Sequence, residues 1–372
     1  MRKGLLKKIL IAEVAIASLA MVFILVALWN KPLGPALAYS PTQVLTNAQT
    51  TEEMTAASGD QAPVPEATPT QASLLGKIIS LGKPPASTTK TLCGGPVVMT
   101  ILLVGSDERS EGYLYGLADS IRLVRVDFAT PSLKTLDIPR DLWVEIPGIS
   151  DHYGITHGKL NQAYFFGNPG MGYYDGPGQG PGLLADTLKQ NFGVSVDHYL
   201  AMDMTTFVRI IDTINGIDVY LDGLTDLNQN HDGENPLYVL QPGVQHLDGQ
   251  MALRLAMNRY PTIFQRARNQ DIVIKAIETK LLSPEGLLRL PDLVAMFSSS
   301  IQTDMSPNDI SKLICLSKSL PKENISVAAF PDEMFTGAHA YDPYRQVNTY
   351  ILEVDNNQLR TEFSGFVEGT WP

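Results

Sequence analysis

The chain has 372 residues, with 28 Lys and Arg against 39 Asp and Glu, a formal charge of -11. Arg2, Lys3, Lys7 and Lys8 crowd the first eight residues, so the remainder is more acidic still. That balance speaks against nucleic-acid binding, which needs a basic footprint, and the length leaves room for one sizeable domain plus tails.

Residues 9–29 form a nearly unbroken apolar run of 21, long enough as a helix to span a bilayer core. Basic residues precede it and none lies inside it, which puts residues 1–8 in the cytoplasm and the rest of the chain outside. A cleaved signal peptide is the competing reading, since Ala36-Leu37-Ala38 has the small-residue cleavage pattern. The run exceeds a usual signal core, and an uncleaved anchor in the cell membrane is the favoured expectation. Residues 30–90, rich in Thr, Ala, Pro, Gln and Ser, read as a flexible extracytoplasmic tether, with a small helix at 72–81.

The domain is expected over residues 91–372. Strand-like runs fall at 99–104, 121–128, 133–138, 199–202, 217–221, 325–329 and 347–354. Helical spacing covers 183–192, stopped by Gly193, and 204–214, with Asp203 as N-cap and Gly216 as stop. Asp248 caps a helix reaching Arg259, and further helices read at 264–282, 286–299 and 307–320. The mixture predicts an α/β fold, a central mixed sheet flanked by helices. Residues 167–182 are glycine-rich without the spacing of a nucleotide fingerprint, and read as a long mobile loop or lid. Residues 228–233 resemble the start of a calcium loop, but Val239 stands where a bidentate Glu is needed.

Asp107 ends the first strand run and Asp119 precedes the second. Two aspartates at neighbouring strand ends can share one hard divalent cation, although a turn or cap is the commoner job for such residues. Arg140 follows Pro139, which fixes its backbone, and suits bidentate phosphate recognition; an ion pair with Asp141 or Asp137 is the plainer alternative. Arg266 and Gln270 share a helix face, with Arg259 just upstream and Arg268 turned to the surface. Cys93 and Cys315 are the two cysteines. They form a disulfide outside the cell or remain two buried thiols.

Taken in order, Gly105-Ser106-Asp107-Glu108-Arg109, Asp119, Ile138-Pro139-Arg140-Asp141, Lys159-Leu160-Asn161-Gln162-Ala163-Tyr164, Asn215-Gly216-Ile217-Asp218-Val219, Gly243-Val244-Gln245-His246-Leu247-Asp248-Gly249 and Arg266-Ala267-Arg268-Asn269-Gln270 resemble the LytR-CpsA-Psr (LCP) family. This family is also called the cell-envelope-related transcriptional attenuator domain. The match runs over 97–283. The resemblance implies transfer of a glycopolymer from a polyprenyl-pyrophosphate carrier to peptidoglycan, forming a phosphodiester. It implies Mg2+ on Asp107 and Asp119, and Arg140, Arg259, Arg266 and Gln270 around the diphosphate. Lys159 would meet the headgroup, or make a surface salt bridge.

The sequence also departs from the family. Leu117 and Met257 stand where arginines are usual, and Ile263 lies near a usual acidic position. A catalytically weakened glycan-binding or envelope-regulatory protein is therefore the alternative reading, with Arg122 or Arg125 as possible substitutes for the lost charge.

Overall fold

The computed structural model describes residues 29–37, 90–107, 115–228, 233–261, 265–281, 283–286, 288–289, 292–293 and 301–371. The expected anchor (Trp29 excepted), the helix at 72–81, most of the helix at 286–299, Ile263 and part of the calcium-like loop lie outside them. Among the described residues no helix is long and apolar enough to cross a membrane.

A six-stranded mixed sheet organises the domain. Its strands are β1 (Val98–Ser106), β2 (Ala118–Asp127), β3 (Ser132–Asp137), β6 (His198–Asp203), β11 (Ile301–Thr303) and β12 (Ile325–Ala328), in the order β11-β6-β1-β2-β3-β12. β1 runs parallel to β6 and antiparallel to β2, and β3 runs parallel to β12. Four small pairings surround it: β4 (Trp143–Glu145) with β5 (His157–Lys159), β7 (Ile217–Leu221) with β10 (Gly243–Leu247), β8 (Thr225–Asp226) with β9 (Val239–Leu240), and β13 (Thr336–Asp342) with β14 (Val347–Glu353).

The central strands are apolar toward both faces because both are covered. Leu102, Val104, Ile121, Leu123 and Leu136 bury one face under α1 (Leu160–Gly167), α2 (Gln179–Phe192) and α7 (Asn356–Glu368). On the other, Met99, Ile101, Val124 and Val126 pack with Leu316 of α6 (Pro307–Ser317). A third cluster joins α3 (Met204–Thr213), α4 (Gly249–Met257) and α5 (Gln265–Leu281) to β7.

Local signals act as expected at several ends. Asp203 accepts from the Thr206 N–H, Asp248 from that of Met251, and Gly193 closes α2 at φ 74°. Cys93 and Cys315 are disulfide-bonded, Cα–Cα 5.9 Å apart.

Two readings are corrected in detail. The glycine-rich stretch is not one long loop: α2 begins within it, at Gln179, and Tyr173 and Tyr174 pack on the main core. Its glycines serve close approach, since a Cβ on Gly182 would meet the Pro177 carbonyl oxygen at 2.0 Å. Residues 30–37, assigned to the tether, include contacts with the domain: the Leu33 N–H donates to the Met305 carbonyl, Pro35 accepts from the Tyr199 hydroxyl, and Leu37 is buried.

Candidate functional site

The site begins where β1 and β2 separate. Gly105 pairs with Ser120 and Ser106 with Ala118, so Asp119 is the extra residue of a β-bulge. A bulge bends the strand and re-aims a side chain, which is why bulges gather near sites. Beyond it, the Asp107 N–H donates to the Leu117 carbonyl, and the Leu117 N–H donates to Asp107 Oδ1 at 2.6 Å. Asp107 thus closes the strand end, the turn role its residue type favours. Asp119 instead accepts from Arg140 Nη1.

Arg140 follows β3 and Pro139. Its Nε lies 3.5 Å from Asp141 Oδ2, and Asp141 Oδ1 accepts from Lys159 Nζ at 3.0 Å. Asp141 therefore orients Arg140, and it holds Lys159 in a salt bridge. Burial works against the Asp141 carboxylate, but the Arg140 and Lys159 cations outweigh it and its pKa falls below the usual value.

The α5 helix supplies the opposite wall. Gln270 Oε1 accepts from the Ser120 hydroxyl at 3.3 Å, which fixes the helix over the bulge. Arg266, one turn earlier, has a buried Nη1 with no hydrogen-bond partner among the described residues. Burial and the facing Arg266 pull Arg140 down to about 10. Burial and Arg259 pull Arg266 down to about 10 as well. Arg259 itself is exposed and acts here through its field. Cations crowded into a partly desolvated space, one with an unmade hydrogen bond, make a candidate anion site. Asp137, on β3, has its pKa raised, chiefly by burial.

Two adjoining cavities meet at these residues. One, of ≈ 50 Å³, is lined by the charged and polar groups of Asp119, Asp137, Arg140, Asp141, Arg266 and Gln270, with Ile121, Ile138 and Leu352 among its apolar walls. The other, of ≈ 320 Å³, shares Asp119, Ser120, Arg266 and Gln270 and is otherwise mostly apolar. Leu103, Leu200 and Met202 of the sheet form its floor, with Phe207, Val273, Ile277 and Leu281 of α3 and α5 opposite. Neither cavity is lined by Asp107 or Lys159. Of the departures from the family, Met257 lines the apolar cavity and is 39% exposed.

The sequence alone assigns no role to Asp271 and names Asp137 only as a possible ion-pair partner of Arg140. Asp137 and Asp271 flank Arg122, which is 2% exposed and lines the apolar cavity. Arg122 was raised only as a substitute charge. Arg125, the other such candidate, points elsewhere, to Asp127 and the Val367 carbonyl. Arg268 is a surface residue paired with Asp332. Among the described residues no group of three or more His, Cys, Asp or Glu could hold a metal.

The fold and the site together define an α/β protein with an amphipathic cavity, apolar along its length and cationic at one end. The chain belongs to the LytR_cpsA_psr family, whose model matches residues 44–361. It is 26% identical over 214 residues to the regulatory protein MsrR of Staphylococcus aureus, covering 57% of this chain and 58% of that one. It is 27% identical over 215 residues to the polyisoprenyl-teichoic acid–peptidoglycan teichoic acid transferase TagU of Bacillus cereus, covering 57% and 62%. The match thus spans about three fifths of each relative's length. Among solved structures, B. subtilis TagV superposes with a TM-score of 0.54 at 21% identity, over 73% of this chain and 97% of that one. TagT with bound octaprenyl pyrophosphate lipid gives 0.51 at 22% identity, over 74% and 91%. At these identities the structural likeness speaks for the fold.

Proposed function

We propose that this protein transfers a glycopolymer from a polyprenyl-pyrophosphate carrier to a peptidoglycan hydroxyl. One observation carries the reading: an apolar cavity of ≈ 320 Å³ ends at Asp119, Arg266 and Gln270, beside Arg140. An isoprenoid chain fits the apolar length and its diphosphate the cationic end. The acceptor hydroxyl attacks the sugar-linked phosphorus, the bond from that phosphorus to the bridging oxygen breaks, and polyprenyl phosphate leaves, the hydroxyl proton ending on that phosphate or in solvent. Arg140 and Arg266 take up the charge on the leaving phosphate, with Arg259 adding its field.

Mg2+ is part of the proposal. It needs only one or two carboxylates and takes its other oxygens from phosphate and water. Asp119 faces both cavities and Asp107 lies at the adjoining strand end, so these two residues would hold it. The ion would offset the diphosphate charge.

The proposed topology keeps 1–8 in the cytoplasm, 9–29 across the membrane and the domain outside. The Cys93–Cys315 disulfide supports an oxidising compartment. The second reading, a weakened binding or regulatory protein, draws on Leu117 and Met257. Turnover of a polyprenyl-diphosphate glycan, measured with and without Mg2+, separates the two: tight binding without turnover would favour the second.

A further inference from the structure

Arg122 lies beneath the anion site. It sits on β2 directly opposite Asp137 of β3. Its Nη1 donates to Asp271 Oδ1 of α5 at 2.6 Å, and its Nη2 forms an ion pair with Asp137 Oδ1 at 3.3 Å. Two residues back along the same strand, Ser120 donates to Gln270. Residues two apart on a strand share a face. Two consecutive residues of α5, Gln270 and Asp271, are therefore laced to two successive same-face residues of β2.

That lace joins the halves of the site. The strand half carries Asp119 at the start of β2 and Arg140 after β3. The helix half carries Arg266 and Gln270. Arg140 and Arg266 repel one another, and between α5 and the sheet lies a cavity rather than packed core. Something must hold the helix at the right distance. Apolar packing seats α5 on α4 and β7, but it does not reach across the cavity to set α5 against β2. A guanidinium buried between two carboxylates can do so, because removing one member leaves uncompensated charge.

We infer that Arg122 is a positioning residue: through Asp271 it sets α5 against β2, and so fixes the spacing of Arg266 and Gln270 from Asp119 and Arg140. Its consequence for binding rests on the diphosphate reading above. Its consequence for α5 does not.

The test uses the full-length protein in detergent, with geranylgeranyl diphosphate as probe. Arg122→Met should weaken binding about tenfold, the scale of coupled neighbours, yet cost less than about twofold in an Arg266→Ala background. Backbone hydrogen exchange over residues 266–275 should quicken in Arg122→Met, and Arg122→Lys should restore part of the protection. If Arg122→Met fails to fold, Asp271→Asn takes its place in the same cycle. Wild-type affinity in the variant, or an equal loss in both backgrounds, overturns the inference. If the wild type does not bind the probe at all, the diphosphate reading fails. Unchanged exchange over 266–275 then overturns the positioning role on its own.

Discussion

Arg140 hydrogen-bonds to Asp119, so the guanidinium proposed for phosphate and the carboxylate proposed for a cation are joined to each other. On the proposed function, an entering diphosphate would compete with Asp119 for Arg140, and the carboxylate so released would gain an oxygen to offer a cation.

Arg140→Lys keeps the charge and loses the planar fork. Affinity for a polyprenyl diphosphate should fall by roughly 1–3 kcal/mol, the scale of a charge-assisted hydrogen bond. Titration calorimetry reads this directly. An unchanged affinity would mean that only the field matters.

Asp119→Asn preserves shape and removes charge. It should abolish the stimulation of turnover by Mg2+. Asp107→Ala should reduce it and also loosen the turn at Leu117, whose N–H loses its acceptor. Turnover against Mg2+ concentration, with a melting curve for each variant, distinguishes the two losses. If both variants respond to Mg2+ as the wild type does, the ion binds elsewhere.

Met257→Arg places a guanidinium on the cavity rim, where the methionine is 39% exposed, so the domain should still fold. Affinity for a polyprenyl diphosphate should rise, and the gain should shrink as salt increases. A salt-independent gain would point to packing instead of charge.

The Cys93–Cys315 bridge closes a separation of 222 residues. Constraint of the unfolded chain by a loop of that size is worth roughly 5 kcal/mol on the chain-entropy account. Reduction should lower the denaturation midpoint markedly. A midpoint that stays put after complete reduction would refute that contribution.

His198 Nδ1 lies 3.4 Å from buried Asp304, which also accepts from the Tyr199 N–H. Burial disfavours the imidazolium, but Asp304 outweighs burial and raises its pKa above 6.5. A raised folded pKa gives stability that is whole below the unfolded value of about 6.5 and disappears as pH climbs through the folded one. Denaturant midpoints of wild type and His198→Gln should differ at pH 5 and converge in alkaline solution. A constant difference would rule out the proton as the cause.

What sequence could reveal was local. Asp203, Asp248 and Gly193 announce helix ends because each cap involves residues three or four apart. The motif arginines were legible, but the Asp119–Arg140 bond was not, since it depends on a bulge that alternation of apolar residues does not register. The Arg122–Asp271 contact spans 149 positions and a buried arginine reads as surface by type. Two omissions had a visible signal: Leu359, Phe363 and Phe366 repeat at helical spacing along α7, and the Asp342 turn precedes β14 as β13 requires.

Leu33, Pro35 and Leu37 touch the domain, whose described residues resume at Lys90. The chain thus already touches the domain four residues after Trp29, at Leu33. On the proposed topology the bilayer and the diphosphate site are separated by a short leash of fixed attachment. On that topology a carrier lipid would need only rise from the membrane plane to meet the site.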